Sequence, residues 1–357
     1  MTAKIIGMLG GGQLGRMSAQ AGEKLGLQTH VYCPETDSPA SQVAAVTTNA
    51  AYEDRNALAR FAASVDAITY EFENIPVETV RFLETLKPVH PSSQVLAIAQ
   101  ERLAEKTALN DFGIPTTRFA PAHSGADVKA VMEQWGVTTC IIKTTRFGYD
   151  GKGQTFVRGA DEAERAFASL KADIVIVEEP VDFDCEISVI VARDQMGNVG
   201  AFTPGVNVHQ NHILKTTTVP APLAPALLSQ AENMARRLAE KIKLVGVLGV
   251  EMFVTRDGRI LANEIAPRPH NSGHWTIDAC DHSQFEQHMR AVAGMALGSF
   301  DRHHNAVMTN LLGDEIFPPR SLAPVPPAYF TDYGKADAKP GRKMGHLTVL
   351  SELSDPK

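Results

Sequence analysis

The strongest constraint on this chain lies in its first 25 residues. An apolar, β-prone run at 4–9 stops at Gly10-Gly11-Gly12, and residues 13–25 carry Leu14, Met17, Ala21 and Leu25 at spacings of three and four. A strand that passes through glycines straight into an amphipathic helix opens an α/β unit. Gly26 ends the helix, 29–32 reads as a second strand closed by Pro34, 67–72 as a further strand, and 76–86 as a helix. Strand and helix alternate, so the first ~110 residues are expected to form a small parallel α/β domain. Gly10 to Gly15 also fits GxGxxG, whose glycines let a backbone approach a phosphate at a helix start. A dinucleotide site would want an acidic residue ending the second strand, where Tyr32-Cys33-Pro34-Glu35 stands instead. A plain tight turn, or an anion site for another ligand, together outweigh the dinucleotide reading.

At 357 residues the chain has room for two or three domains. Apolar residues make up 44%, and 34 basic against 41 acidic residues give a net charge of −7, which excludes a mainly disordered chain. A mildly acidic surface attracts neither nucleic acid nor anionic lipid, so no nucleic-acid or membrane partner is expected and any anion must find a local basic site. No run reaches the ~18 apolar residues of a membrane span, and residues 1–9 lack a signal-peptide pattern. Cys33, Cys140, Cys185 and Cys280 are far apart and form no CxxC pair, and they read as reduced, mostly buried thiols of a cytoplasmic protein.

From Cys140 the texture changes. Residues 140–143 and 155–157 flank a loop at 146–154, apolar strands follow at 174–178 and 186–191, and 226–242 is an amphipathic helix with Pro225 near its start. This part reads as α+β. The proline-rich run at 317–327 reads as a linker into a short final module.

Residues 250–265 carry the sharpest chemical inference. If Asp257-Gly258 is a two-residue type I′ hairpin turn, counting outward sets Glu251 directly opposite Glu264 on one face. Like charges there repel, and the apolar neighbours Val250, Met252, Phe253 and Ile265 imply poor solvation. Such a pair needs a shared proton or a cation, and Mg²⁺ favours a few carboxylate oxygens plus substrate phosphates. An exposed pair on a solvated edge is the competing reading. Lys143 ends an apolar strand just before a loop whose Gly148, Gly151 and Gly153 could cover phosphates, with Lys152 adding charge. Glu178-Glu179 could serve a ribose or an adenine amine. Two basic clusters, at 263–275 and 339–346, could receive an anionic substrate. His209 and His212 have no nearby sequence partner to complete a zinc set and read as hydrogen-bonding groups.

Taken together these segments resemble the ATP-grasp superfamily and, within it, the 5-(carboxyamino)imidazole ribonucleotide synthases of purine synthesis. The resemblance runs through GGGQLGRM at 10–17, YEFENIP at 70–76, AQERLAEK at 99–106, IIK with GYDGKGQ at 141–154, EEPVDFDCEIS at 178–188, NEIAPRPHNSGHWT at 263–276 and PGRKMGHL at 340–347. It implies an ATP-grasp fold with an N-terminal Rossmann-like α/β domain (1–110), a lid and body (111–300) and a small C-terminal β module (301–357). It implies ATP and Mg²⁺, with Arg102 and Lys143 on phosphates and Gly148, Tyr149, Asp150, Gly151, Lys152, Gly153 and Gln154 as the lid loop. Glu178, Glu179, Pro180, Val181 and Glu186 would frame adenine and ribose, with His209 nearby and Asn263, Glu264 and Glu251 at Mg²⁺. The implied reaction joins bicarbonate to 5-aminoimidazole ribonucleotide at the expense of ATP, through carboxyphosphate or CO₂ released from it. Arg268 would hold carboxyphosphate, and Asp150, Lys152 and Lys343 would take part in catalysis with it. Arg342, Lys343 and Lys335 would grip the ribonucleotide, and Gln13, Leu14, Glu73, Asn271, Ser272 and His274 would line its pocket. The family also suggests a homodimer. A nicotinamide-dependent dehydrogenase, a formate-using transformylase and a nucleotide sensor without turnover are the rivals.

Overall fold

The computed structural model describes residues 3–148, 153–322 and 324–353. Among these, seventeen strands form three sheets. The first is wholly parallel, in the order β3 (Val46–Asn49), β2 (Gln28–Cys33), β1 (Ile5–Leu9) and β4 (Ala67–Tyr70). Helices α1 (Gln13–Lys24), α2 (Arg55–Ala63) and α3 (Val77–Glu84) connect or flank it, and α4 (Ser93–Gln100) and α5 (Arg102–Asp111) lead out of it. β1, β2 and β4 are buried almost throughout, as a parallel sheet covered on both faces requires, and only the edge strand β3 is open to solvent.

The second sheet is a small antiparallel lid, ordered β5 (Phe119–Ala122), β8 (Val175–Glu178), β6 (Thr139–Thr144) and β7 (Gln154–Arg158). Helices α6 (Gly125–Trp135) and α7 (Ala163–Leu170) pack on it around Val128, Met132, Cys140, Ile142 and Val177.

The third sheet is the body. It comprises β9 (Phe183–Arg193), β10 (Val199–Ala201), β11 (Gly205–Gln210), β12 (Ile213–Val219), β13 (Gly246–Thr255) and β14 (Ile260–Ala266), and continues without a break into β15 (Asn305–Leu312), β17 (Lys343–Ser351) and β16 (Ala328–Asp332). Helix α8 (Pro225–Lys241) seals one face through Ala231, Met234, Ala235 and Leu238. Helices α9 (Thr276–Ala279) and α10 (Gln284–Val292) lie at the junction with the first domain, where Met289 and Val292 join the core under β1.

The proline-rich run departs from the linker expected of it. It forms α11 (Phe317–Leu322), a short helix lying between β15 and β16 within the last module. Pro318 and Pro319 fall in the first turn, where a missing N–H costs nothing. All four cysteines are free thiols, and three are buried. Among the described residues no helix is long and apolar enough to cross a membrane.

Candidate active site

The first domain, lid and body meet around a cleft of about 560 Å³. Its walls bring together residues spread over 330 positions of sequence. Gln13, Leu14 and Glu73 come from the first domain, and Arg102 from the start of α5. Lys143, Gly148 and Gln154 come from the lid. Glu186, His209, Glu251, Asn263, Glu264, Arg268 and Asn271 come from the body, and Lys335 and Lys343 from the last module.

Glu251 does face Glu264, but by another route than a two-residue turn. The loop holds three residues, closed by Gly258 N–H to Thr255 O (2.9 Å) and Thr255 N–H to Arg259 O (2.9 Å), with Gly258 at φ +79°. That loop alone would set Glu251 opposite Asn263. The register instead slips by one residue between Met252↔Ala262 and Glu251↔Glu264, so a bulge at Asn263 restores the carboxylate pair. The bulge leaves Asn263 lining the cleft beside Glu264.

The pair is less starved of partners than its neighbours suggest. The Glu251 side chain is 17% exposed and receives His270 Nε2 at 3.2 Å, whereas Glu264 is 43% exposed and receives Arg102 Nη1 at 3.3 Å. Burial pushes the Glu251 carboxyl up, but the His270 hydrogen bond and charge outweigh it and hold the group low. Arg102 also donates to Gly148 O (3.1 Å), tying the carboxylate to the lid loop. Glu186 lies 3.3 Å from His209 Nδ1, and ligand atoms of Glu186, His209 and Glu251 lie within 4.8 Å of one another. The carboxylates that His209 lacks in local sequence are thus supplied by β9 and β13.

Lys143 is fixed from behind. Glu178, at the end of β8, receives Lys143 Nζ at 2.6 Å and Lys106 Nζ at 3.3 Å. Burial raises the Glu178 carboxyl, and the two lysines overcome that and lower it. The Glu178 side chain is held by these two lysines and is not among the residues that line the cleft. Glu179, Pro180 and Val181 line a separate recess of about 340 Å³, where Glu179 accepts from Arg118 Nε at 3.1 Å. Gly153 closes the lid hairpin by accepting from Thr144 N–H (2.8 Å). Tyr149, Asp150, Gly151 and Lys152 lie outside the described residues.

At the far end Arg268 donates to Glu73, whose carboxyl burial raises and Arg268 more than offsets, down to about 2. Lys335 Nζ donates to Gln13 Oε1 (2.5 Å) and to Lys343 O (2.7 Å). Burial, followed by the nearby Arg342 charge, lowers Lys335 to about 8. Asn271 lines the cleft and exchanges amide hydrogen bonds with Asn310 (2.9 and 2.7 Å). Three expected substrate residues stand elsewhere. Ser272 is buried against His270 Nδ1 (2.8 Å), and His274 is fully buried against Gln284 (3.1 Å), both behind the wall. Arg342 is exposed, donates to Asp337 O (3.0 Å) and does not line the cleft.

The glycine turn is occupied from within. Glu71, immediately after β4, accepts from Gly12 N–H (2.8 Å) and Gly15 N–H (3.3 Å). A dinucleotide pyrophosphate would need the N–H groups that Glu71 already fills, which removes the physical basis of the dehydrogenase reading. Sequence reasoning missed Glu71, Glu105, Lys106 and His270. Glu105 accepts from Ile265 N–H (2.6 Å), and burial lifts its carboxyl to about 8. No local pattern marks these four, since the contacts that place Glu105, Lys106 and His270 at the site, with Ile265, Glu178 and Glu251, reach across at least 19 positions, and Glu71 reaches the glycine turn across at least 56.

Three family models match the chain. They are a ribonucleotide synthetase preATP-grasp domain at 3–100, an ATP-grasp domain at 107–285, and a phosphoribosylaminoimidazole carboxylase C-terminal domain at 306–355. The N5-carboxyaminoimidazole ribonucleotide synthase of Brucella melitensis is 46% identical over 97% of this chain and 96% of its own length. A crystal structure of an ADP complex of N5-carboxyaminoimidazole ribonucleotide synthetase superposes with a TM-score of 0.94 at 39% identity, covering 99% of this chain and 94% of that one. The Aspergillus clavatus N5-carboxyaminoimidazole synthase in complex with ADP and 5-aminoimidazole ribonucleotide gives 0.90 at 30% identity, covering 98% and 94%. With an ATP-grasp body and lid, a carboxylate pair facing the cleft and relatives aligned over nearly their full length, the chain belongs to the N5-carboxyaminoimidazole ribonucleotide synthases, ligases of the ATP-grasp superfamily.

Proposed function

We propose that this protein carboxylates the exocyclic amine of 5-aminoimidazole ribonucleotide, using ATP and bicarbonate and releasing N5-carboxyaminoimidazole ribonucleotide, ADP and phosphate. The observation that carries the reading is the grouping of Glu251 and Glu264, Lys143, and the cationic end formed by Arg268, Lys335 and Lys343 along one cleft. It provides for a nucleotide triphosphate at one end and a sugar phosphate at the other. ATP lies between lid and body in this reading, with Arg102 and Lys143 at its phosphates and Glu186 and His209 toward its ribose. Two hard carboxylates and the Asn263 amide suit Mg²⁺, which would neutralise phosphate charge when bound.

A bicarbonate oxygen attacks the γ-phosphorus and ADP leaves, giving carboxyphosphate. Lys143 offsets charge developing on the transferred group, held in place by Glu178. Arg268, fixed by Glu73, holds the carboxyphosphate. The amine nitrogen then bonds to the carboxyl carbon, phosphate leaves and the amine gives up a proton. The intermediate hydrolyses, so water must be kept out. By sequence Asp150 and Lys152 fall between Gly148 and Gly153, and we assign both to catalysis. Gln13, Leu14 and Asn271 shape the ribonucleotide pocket. We place the domain divisions at 1–110, 111–300 and 301–357 and the enzyme in the cytoplasm. We infer a homodimer, for which the exposed Val307 and Val349, paired across β15 and β17, offer an apolar face.

The test is ADP release with ATP, Mg²⁺ and bicarbonate, with and without the ribonucleotide. Stimulation by aminoimidazole ribonucleotide is expected. Stimulation by formate in place of bicarbonate would shift the assignment to a transformylase.

A further inference from the structure

The first glycine turn is built around a carboxylate. Glu71 is 8% exposed and seats one oxygen on Gly12 N–H and the other on Gly15 N–H, at the start of α1. Gly12 caps that helix without any side-chain bond, so Glu71 supplies what a capping side chain or a bound anion would supply elsewhere. The glycines are cut to this shape. A Cβ on Gly12 would stand 2.5 Å from Glu71 Oε1, and one on Gly10, at φ +105°, would stand 2.5 Å from Glu71 Cγ.

The two residues enclosed by these bonds, Gln13 and Leu14, both line the cleft. Gln13 Oε1 accepts from Lys335 Nζ (2.5 Å), and Lys335 in turn donates to Lys343 O (2.7 Å). A continuous chain of contacts therefore runs from Glu71 through the turn to the cationic end of the cleft. We propose that Glu71 is a positioning residue that serves as the built-in anion of the glycine turn and sets Gln13, and through it Lys335, for the ribonucleotide phosphate. The substrate named here rests on the reading under Proposed function, while the role of Glu71 in the turn does not.

Glu71→Ala tests it. Losing a charge-assisted hydrogen bond corresponds to about tenfold or more in binding. The KM for aminoimidazole ribonucleotide is therefore expected to rise about that much, with kcat and the KM for ATP changing less than about twofold. Added acetate restores the Glu71→Ala enzyme, because it can sit on the vacated N–H groups, and leaves wild type unchanged. Gly12→Ala displaces the carboxylate and raises the same KM, without rescue. Independently of activity, the Gly12 and Gly15 amides exchange faster in Glu71→Ala and slow again with acetate. If wild type lacks ribonucleotide-stimulated ADP release the functional reading falls, and amide exchange still decides the role of Glu71. Equal changes in both KM values, or unaltered exchange without acetate rescue, overturn the proposal. Should Glu71→Ala not fold, Glu71→Gln keeps the volume but points an amide donor at one N–H, and the same selective rise in KM is required of it.

Discussion

Glu178→Gln should be among the most damaging isosteric changes in this chain, although Glu178 does not itself line the cleft. Its side chain is 4% exposed, Lys106 is 1% exposed and Lys143 13%, at 3.3 and 2.6 Å from the carboxylate. Gln keeps the volume and removes the only negative charge these contacts give Lys106, leaving its ammonium with the Asn263 carbonyl at 3.1 Å. Stranding one member of a buried pair costs about 3–5 kcal/mol, whereas an exposed pair contributes about 0–1 kcal/mol. Lys143 reaches the cleft and solvent, so the larger part of the loss is assigned to Lys106. The double variant Lys106→Met/Glu178→Gln strands no fully buried charge and should recover most of the stability. Urea unfolding followed by tryptophan fluorescence and circular dichroism measures both. Trp135 on α6 reports the lid, and Trp275, only 2% exposed, reports the body. A Glu178→Gln loss below about 1 kcal/mol would refute the reasoning, as would a double variant no more stable than the single one. A rise in the KM for ATP should accompany Glu178→Gln and persist in the double variant, since Lys143 has lost its anchor in both.

Other outcomes follow from the same geometry. Glu264→Gln should unfold within about 1 kcal/mol of wild type, because the Glu264 side chain is 43% exposed and Arg102 keeps its bond to Gly148 O, yet lose turnover; retained activity would refute a metal role. Lys335 is lowered to about 8, so its charge is present below that pH and lost as pH rises through it. The kcat/KM for the ribonucleotide should accordingly fall above pH about 8 in wild type, and Lys335→Arg should move that limb upward because a guanidinium stays charged. Arg342→Ala should change the same parameter less than about twofold while Lys335→Ala changes it more than about tenfold, a contrast read directly from steady-state kinetics.

The sequence carried those parts of this protein whose physics is local. Period-3.6 apolar spacing fixed α1 and α8, β-prone runs between glycines and prolines fixed β1, β2 and β4, and a run of motifs resembled the ATP-grasp lid and carboxylate strand closely enough to nominate residues for a site. Tertiary structure decided which of those residues face the cleft. Glu251 and Glu264 face each other because a three-residue loop and a bulge at Asn263 cancel, and no turn rule counts both. Glu178 turned out to anchor lysines, and Ser272 and His274 stand behind the wall, because burial and pairing are settled by partners far along the chain. The glycine turn shows the division most plainly. Its sequence left a plain tight turn and an anion site for another ligand both open, and in the structure a carboxylate of the chain itself takes the N–H groups. Which anion it would be depended on a parallel sheet setting β4 beside β1, so that a carboxylate 56 to 59 residues away arrived first.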